Sequence, residues 1–437
     1  MKKRLPSLVV FIIYILLSSI ALYFYQYSNN KFGFIFVLSL FFILYHLISS
    51  KIKGATFHPF NMFLYFYFFY NFTSLFFYFI FDFKTMGWLY NKNDMIIVYE
   101  QALISYFILI SLSIVFFKGD GIDVETVSLY INSLKPNISK IYLFYLSLIL
   151  SLFTFYVFYS SGLMSISNFN RSDINSNMNT NLWYFIGVLS FITLIVAIIK
   201  YDASFKCKIT IFLCLIYFLL DLLIGGRKFL FYTCFTAFAY LKLTNKLKIK
   251  YVIFIVIFLG LAMFARGVVD KVDVNDRDML GILSGYLGEF LFTNVTSFIT
   301  LNNYSVLCSD YNILGYFNWL FYLIPRSIFE GKPYSLAYEF AHFMDVGIGF
   351  AFTPLSESIC VNPSFAGVIV SGFIFLFFYI ISRLWRHRPF LYFIVYALLL
   401  DFNRAESMYY FTQIITVYLC YVIILYIVST SKRIVKL

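Results

Sequence analysis

Charge is scarce in this sequence. Only 12% of its 437 residues are Asp, Glu, Lys or Arg, against 62% hydrophobic and 23% aromatic. The apolar residues fall in runs of about 18 to 23, the length that crosses a bilayer core, so the chain reads as a polytopic membrane protein. Sequence patterns of metal and nucleotide chemistry are missing as well: there is no HExxH, Walker or dinucleotide motif. The acidic cluster DVNDRD, from Asp273 to Asp278, reads as a solvated turn rather than a metal-ligating set. The six cysteines have no metal-like spacing. Cys207, Cys214, Cys234 and Cys420 lie in or beside apolar runs, where a small apolar residue suffices. Cys308 and Cys360 share one long connection, where an oxidising compartment would allow a disulfide, although two cysteines need not meet. Heptads, solenoid repeats and low-complexity blocks are absent too. The net charge of +12 does not indicate a nucleic-acid partner, because the charges sit between apolar runs and not on a soluble basic face.

What is present is a succession of about twelve expected spans: Leu5 to Tyr27, Phe32 to Ser49, Pro59 to Phe81, Met95 to Phe117, Ile141 to Ser161, Leu182 to Ile199, Ile209 to Ile224, Phe229 to Leu243, Tyr251 to Val269, Ser364 to Ser382, Pro389 to Leu400 and Met408 to Val428. The opening MKKR has the charge of a secretory signal, yet the run after it continues to Tyr27 without an A-x-A cleavage site and reads as the first span. With Met1 cytoplasmic, most of the 33 basic residues fall in cytoplasmic connections, as the positive-inside rule requires. The expected layout is a bundle of about nine spans over residues 1–269, an outward loop over 270–363, and C-terminal spans over 364–437. Within the loop, Leu280 to Leu301 and Ile313 to Ile324 are apolar. The connection Asn302 to Asn312 has no Lys or Arg, so both stretches are expected as helices on or dipping into the outer membrane face.

Several cations break the positive-inside bias. The outward side keeps Arg171, Arg227, Lys228, Arg266, Arg277, Arg326, Lys332 and Arg404. Arg227 and Lys228 sit in the short turn of DLLIGGRKFLF, Arg266 lies inside the apparent end of a span, and Arg404 joins two spans in DFNRAES. Cations at membrane depth are costly and face a cavity or an anion. A planar guanidinium binds phosphate through two parallel hydrogen bonds, so several at one level would hold a diphosphate. The blander reading is snorkelling to lipid head groups, or pairing with Asp221, Asp401 or Glu406. The loop adds Glu339, His342 and Asp345, spaced by three on a helix expected after Pro333. That face could carry a general base, or could simply point its acids to water. Glu357, in TPLSESICVNP, would place a carboxylate at the membrane surface.

These residues carry a resemblance. GGR at Gly225, Gly226 and Arg227, the IPR of Ile324 to Arg326 followed by KP at Lys332 and Pro333, Glu357 of SES ahead of Asn362, and Arg404 between the last two spans resemble the Wzy-type O-antigen polymerases, or oligosaccharide repeat unit polymerases. The likeness extends to the layout of spans and loop. It implies an all-α polytopic membrane protein of GT-C-like fold with about 12 transmembrane helices, in a bacterial inner membrane, with cytoplasmic termini and a periplasmic active site. The implied activity is glycosyl transfer without metal or cofactor. The growing glycan passes from undecaprenyl diphosphate to the non-reducing end of the next undecaprenyl-diphosphate-linked repeat unit. On this resemblance Arg227, Arg326 and Arg404 hold the diphosphates, Lys332 and Arg266 assist, and Glu357 or His342 is the acceptor base. Implied partners are the lipid-linked oligosaccharide, membrane lipids and a chain-length regulator protein. A lipid-linked oligosaccharide flippase is the rival from another class, but it should line its spans with charge and keep its loops short. An O-antigen ligase, differing in acceptor, is the nearer rival.

Overall fold

The computed structural model describes residues 30–81, 92–119, 121–162, 178–201, 204–224, 226–244, 246–250, 293–322, 327–344 and 352–429, with scattered residues elsewhere. Arg171, Arg266, Arg277, Arg326 and Asp345, and most of the expected first and ninth spans, lie outside these described residues. The elements are α1 (Lys31–Ile52), α2 (Pro59–Phe81), α3 (Lys92–Phe116), α4 (Val124–Leu134), α5 (Lys140–Ser160), α6 (Thr180–Lys200), α7 (Phe205–Leu223) and α8 (Lys228–Leu243). After these come α9 (residues 293–302), α10 (Leu336–Phe343), α11 (Pro354–Val361), α12 (Ala366–His387), α13 (Pro389–Ala397) and α14 (Ser407–Val428). Among the described residues no strand forms, and an isolated bridge pairs Ile138 with Ser429.

Polar residues at the helix starts fix where these runs begin. The first turn of a helix leaves backbone N–H groups without partners, and a side-chain oxygen just before it can accept one. Asn30 accepts from Gly33 N at 3.0 Å, Asn179 from Leu182 N at 3.1 Å, and Thr353 from Ser356 N at 3.0 Å, with Pro354 in the first turn of α11. Among the described residues six helices are long and apolar enough to cross a membrane: α1, α3, α5, α6, α12 and α14. Helices α2, α7, α8 and α13 also occupy expected spans. Of these, α8 and α13 have 16 and 9 residues, and α7 carries Lys206, Lys208 and Asp221. Helix α4 lies in a connection between two expected spans that reads as cytoplasmic loop in the sequence.

The helices group into two compact units. One comprises Met1–Gly121, Leu287–Leu384 and Leu399–Thr412, and the other Ile122–Tyr286, Trp385–Leu398 and Gln413–Leu437. In the first unit α1, α2 and α3 pack together, and buried hydroxyls join them: Tyr67 bonds Ser105 at 2.5 Å and Ser74 bonds Tyr99 at 2.9 Å. Interhelical hydrogen bonds and close packing, rather than a hydrophobic drive, hold helices together in lipid, at about 0.6 to 2 kcal/mol per bond. Helix α12 lies against α3 at Gly367, whose N–H donates to Gln101 Oε1 at 2.8 Å. A Cβ there would fall 2.4 Å from the Gln101 carbonyl oxygen, so only glycine permits the approach. Helix α9 is buried from Thr293 to Thr300 on every side, which leaves no face of that stretch for water.

In the second unit α5, α6 and α7 pack on one another, while α8 packs on α13. Trp183 of α6 packs tilted against Tyr217 of α7, with ring centroids 4.8 Å apart. All nine residues of α13 are buried. The backbone of Ser139 closes this unit by donating to Val428 O at 2.8 Å.

Candidate active site

In the first unit a buried polar arrangement surrounds Glu357. This residue sits in the first turn of α11, where Thr353 caps the helix and an acidic side chain is favoured by the helix dipole. Its carboxylate is fully buried, with 0% exposure. A buried carboxylate needs donors, and three meet it. Tyr311 Oη donates to Oε1 at 2.5 Å, Ser407 Oγ donates to Oε1 at 2.5 Å, and the Ser407 N–H donates to Oε2 at 2.7 Å. Because Ser407 begins α14, Glu357 also sits at the positive end of a second helix. Burial nevertheless outweighs these donors and pushes the Glu357 carboxyl up to about 7.

A second glutamate adjoins this network through Ser407. Glu406 is 2% exposed and caps α10, accepting from Leu336 N at 2.8 Å and from Ala337 N at 3.5 Å. Burial first, and then the Glu357 charge, raise it to about 8. Two carboxyls raised in this way titrate near neutrality, the range in which acid and base work is done. Around them lie further hydroxyls. Tyr316 Oη bonds Ser358 Oγ at 2.5 Å, and Ser356 Oγ bonds Ser297 at 2.8 Å and Thr353 at 2.9 Å.

The tyrosine is tied to its glutamate twice. Cys308 and Cys360 form a disulfide with a Cα separation of 4.8 Å. Cys308 precedes Tyr311 by three residues, and Tyr311 N donates to Cys308 O at 3.1 Å; Cys360 follows Glu357 by three residues on α11. The covalent bridge therefore runs one turn away from the Tyr311 to Glu357 hydrogen bond, and both join the same two segments. An apolar cluster of Val295, Ile299, Leu336, Phe340 and Phe352 packs around the bridge. The two cysteines that the sequence left free to pair or not are paired.

The other expected site residues are distributed differently. His342 lies on the open face of α10, as does Glu339, while Leu336 and Phe340 face inward. Partial loss of hydration and the nearby Asp310 raise the Glu339 carboxyl. Lys332 Nζ donates to Ile324 O at 3.0 Å, joining the IPR and KP segments. Arg404 lies half-buried between Leu399–Phe402 and α14 in the first unit. Arg326 and Arg266 are outside the described residues.

In the second unit, Arg227 is 8% exposed and begins α8, with its guanidinium carbon 5.9 Å from the Phe231 ring centroid. Lys228 Nζ lies over the rings of Tyr184 and Tyr232, at 5.0 and 5.6 Å. The tight turn owes its glycine to an internal contact. A Cβ on Gly226 would fall 2.3 Å from Asp221 Oδ1, and that same oxygen accepts from Trp183 Nε1 at 2.8 Å. Gly226 thus makes room for an aspartate that anchors α7 to α6. The close approach at this turn is made by the protein's own carboxylate.

Tyr311 and Ser407 carry no mark of a site in the sequence, and Glu406 is legible there only as a counter-charge for a neighbouring cation. Tyr311 is one of 38 tyrosines, and its bond to Glu357 spans 46 positions, so no local spacing distinguishes it. No family model, curated protein or solved structure matches the chain.

Proposed function

We propose that this chain is a lipid-linked oligosaccharide polymerase, with about twelve spans in a GT-C-like arrangement. In this reading it transfers a growing glycan from undecaprenyl diphosphate to the non-reducing end of the next lipid-linked repeat unit, at the periplasmic face of a bacterial inner membrane. The observation that carries the reading is the buried Glu357, held by Tyr311 and Ser407 near a neutral pKa. The outward arginines and the likeness of the GGR, IPR, KP and SES segments to such polymerases support it.

The transfer needs two things from the protein. The acceptor hydroxyl oxygen forms a bond to the anomeric carbon as the bond from that carbon to the diphosphate oxygen breaks, so one proton must leave the acceptor and one anion must be stabilised. Glu357 is fully buried, whereas Tyr311 is partly exposed and donates to it. The acceptor proton passes to Tyr311 Oη while the tyrosine proton passes to Glu357 Oε1, which leaves a neutral tyrosine and a protonated glutamate. The tyrosine never ionises, in keeping with a hydroxyl that burial and the Glu357 charge push far above its ordinary range. Arg227 and Arg404 are each assigned a contact with a lipid diphosphate, as are Arg326, Lys332 and Arg266. His342, on an open helix face, is left out of the proton path.

Purified protein supplied with lipid-linked repeat units tests the reading. It should build a ladder of glycans, and Arg227→Ala or Arg404→Ala should collapse chain length while the protein still inserts and folds. If neither variant changes the ladder, the diphosphate assignment is wrong. If wild-type protein moves the units across a bilayer without joining them, the flippase reading replaces this one.

A further inference from the structure

The second unit contains a cavity of about 650 Å³ that no part of the proposed reaction uses. Its volume lies within the range of small-molecule and lipid head-group sites, on the order of 300 to 1,000 Å³. Its wall draws on α4, the C-terminal ends of α6 and α8, and Ile211 of α7. Two kinds of surface meet there. Lys135 and Lys246 stand at the rim with the polar Ser128, Asn132 and Thr244, and Ile198, Ile199 and Leu243 form an apolar wall. Among the described residues that line it none is acidic; Asp123 and Glu125, at the start of α4, are exposed and lie outside the lining. Lys200 Nζ donates to the Lys135 carbonyl at 2.6 Å, which fixes the backbone that carries one of the two rim cations.

We propose that this cavity binds the head group of an anionic phospholipid, with the phosphate at Lys135 and Lys246 and the upper acyl chains along the isoleucine wall. The pairing of cations with an apolar wall fits an amphiphile that is negatively charged at one end and hydrocarbon at the other. A soluble anion would leave the wall unused, and a zwitterionic lipid would leave the lysine charge uncompensated. Position argues the same way. The lining comes from the helix ends beside Lys200, Lys206, Lys208, Lys242, Lys248 and Lys250, the basic clustering that marks a cytoplasmic side, where anionic lipids attract basic segments. Tyr201 and Tyr240, also in the lining, are residues that favour the level of lipid head groups. Helix α4 then has a role that a connecting loop lacks, since its Val124, Ser128, Ile131 and Asn132 close one side of the cavity. This inference does not depend on the polymerase reading.

Native mass spectrometry of the full-length protein in detergent tests it, with phosphatidylglycerol, phosphatidylcholine and inorganic phosphate as probes. The expected result is one tightly held phosphatidylglycerol, weakened about 10- to 30-fold in Lys135→Gln/Lys246→Gln, since each substitution removes one attraction between a lysine and the lipid phosphate. The control Lys208→Gln/Lys248→Gln removes two exposed lysines at the same end that do not line the cavity, and it should bind as wild type does. Thermal unfolding without added lipid, unchanged in both double variants, establishes that each is folded. Equal retention of phosphatidylcholine, equal weakening by the two double variants, or displacement of the lipid by millimolar phosphate would each overturn the proposal. The last result would define a soluble-anion site instead.

Discussion

Glu357→Gln separates a working carboxylate from a structural one. The substitution keeps the shape and removes the charge and the base. In the wild type the carboxyl is displaced from its ordinary value of 4.5 to about 7, which at about 1.4 kcal/mol per unit amounts to about 3 kcal/mol. Since the folded-state value is the higher one, the fold prefers the protonated form. Stability from this site is complete below pH 4.5, declines as pH rises toward 7, and is level above that. Glutamine cannot ionise and so loses this decline. Against that gain stands one mismatch. The amide oxygen can still accept from Tyr311 and Ser407 Oγ, but the amide nitrogen then faces the Ser407 N–H, at a cost of about 1 to 3 kcal/mol. The two effects nearly cancel at pH 8, so the variant should unfold within a few degrees of wild type there and be the less stable of the two at pH 5. Polymerisation should fall about 10²- to 10⁴-fold at pH 8, as expected when a general base is lost, and less at pH 5, where the wild-type carboxyl is itself largely protonated. Thermal unfolding by intrinsic fluorescence at the two pH values, beside gel analysis of glycan products, measures both. Wild-type ladders from a folded Glu357→Gln protein would refute the assignment. A loss of activity that only follows a loss of folding would make Glu357 a structural residue.

Three further outcomes follow from neighbouring contacts. Tyr311→Phe removes a hydrogen bond that lowers the Glu357 pKa, so the rising limb of the activity profile should move to higher pH while its maximum drops at least tenfold. Breaking the Cys308 to Cys360 bridge, which closes a loop of 52 residues, should cost about 4 kcal/mol and lower the melting temperature under reductant; it should also reduce activity by loosening Tyr311 from Glu357. Gly226→Ala should push the Asp221 carboxylate off Trp183 and destabilise the second unit by about 1 to 3 kcal/mol, visible as a lower melting temperature and a red-shifted tryptophan emission.

The parts of this protein that are legible in its sequence are those that local chemistry decides. Long apolar runs become helices, and Asn30, Asn179, Ser204 and Ser335 start them because each carries an oxygen within reach of the first turn. Helix α4 is legible too. Val127, Ile131 and Leu134 repeat at helical spacing in VETVSLYINSL, but the charges around it suggest a loop. Glu357 stands out as a carboxylate beside an apolar run, whereas its surroundings do not. Its partners come from positions 311 and 407, and only the folded chain brings them to it. The Gly226 turn shows the opposite case. Two glycines beside an arginine suggest a ligand's approach, and the contact that requires Gly226 is with an aspartate five residues back. A glycine in a sequence reports that something comes close without saying what.

The central claim is that this chain joins lipid-linked repeat units into a polymer, and the surface glycans of a strain lacking it test that claim most directly. Gel banding of its lipopolysaccharide should show core bearing a single repeat unit, with the ladder restored by the wild-type chain and not by Glu357→Gln. Full-length O-chains in the deletion strain, or core with no repeat unit at all, would contradict the account, the second outcome pointing to a flippase or a ligase.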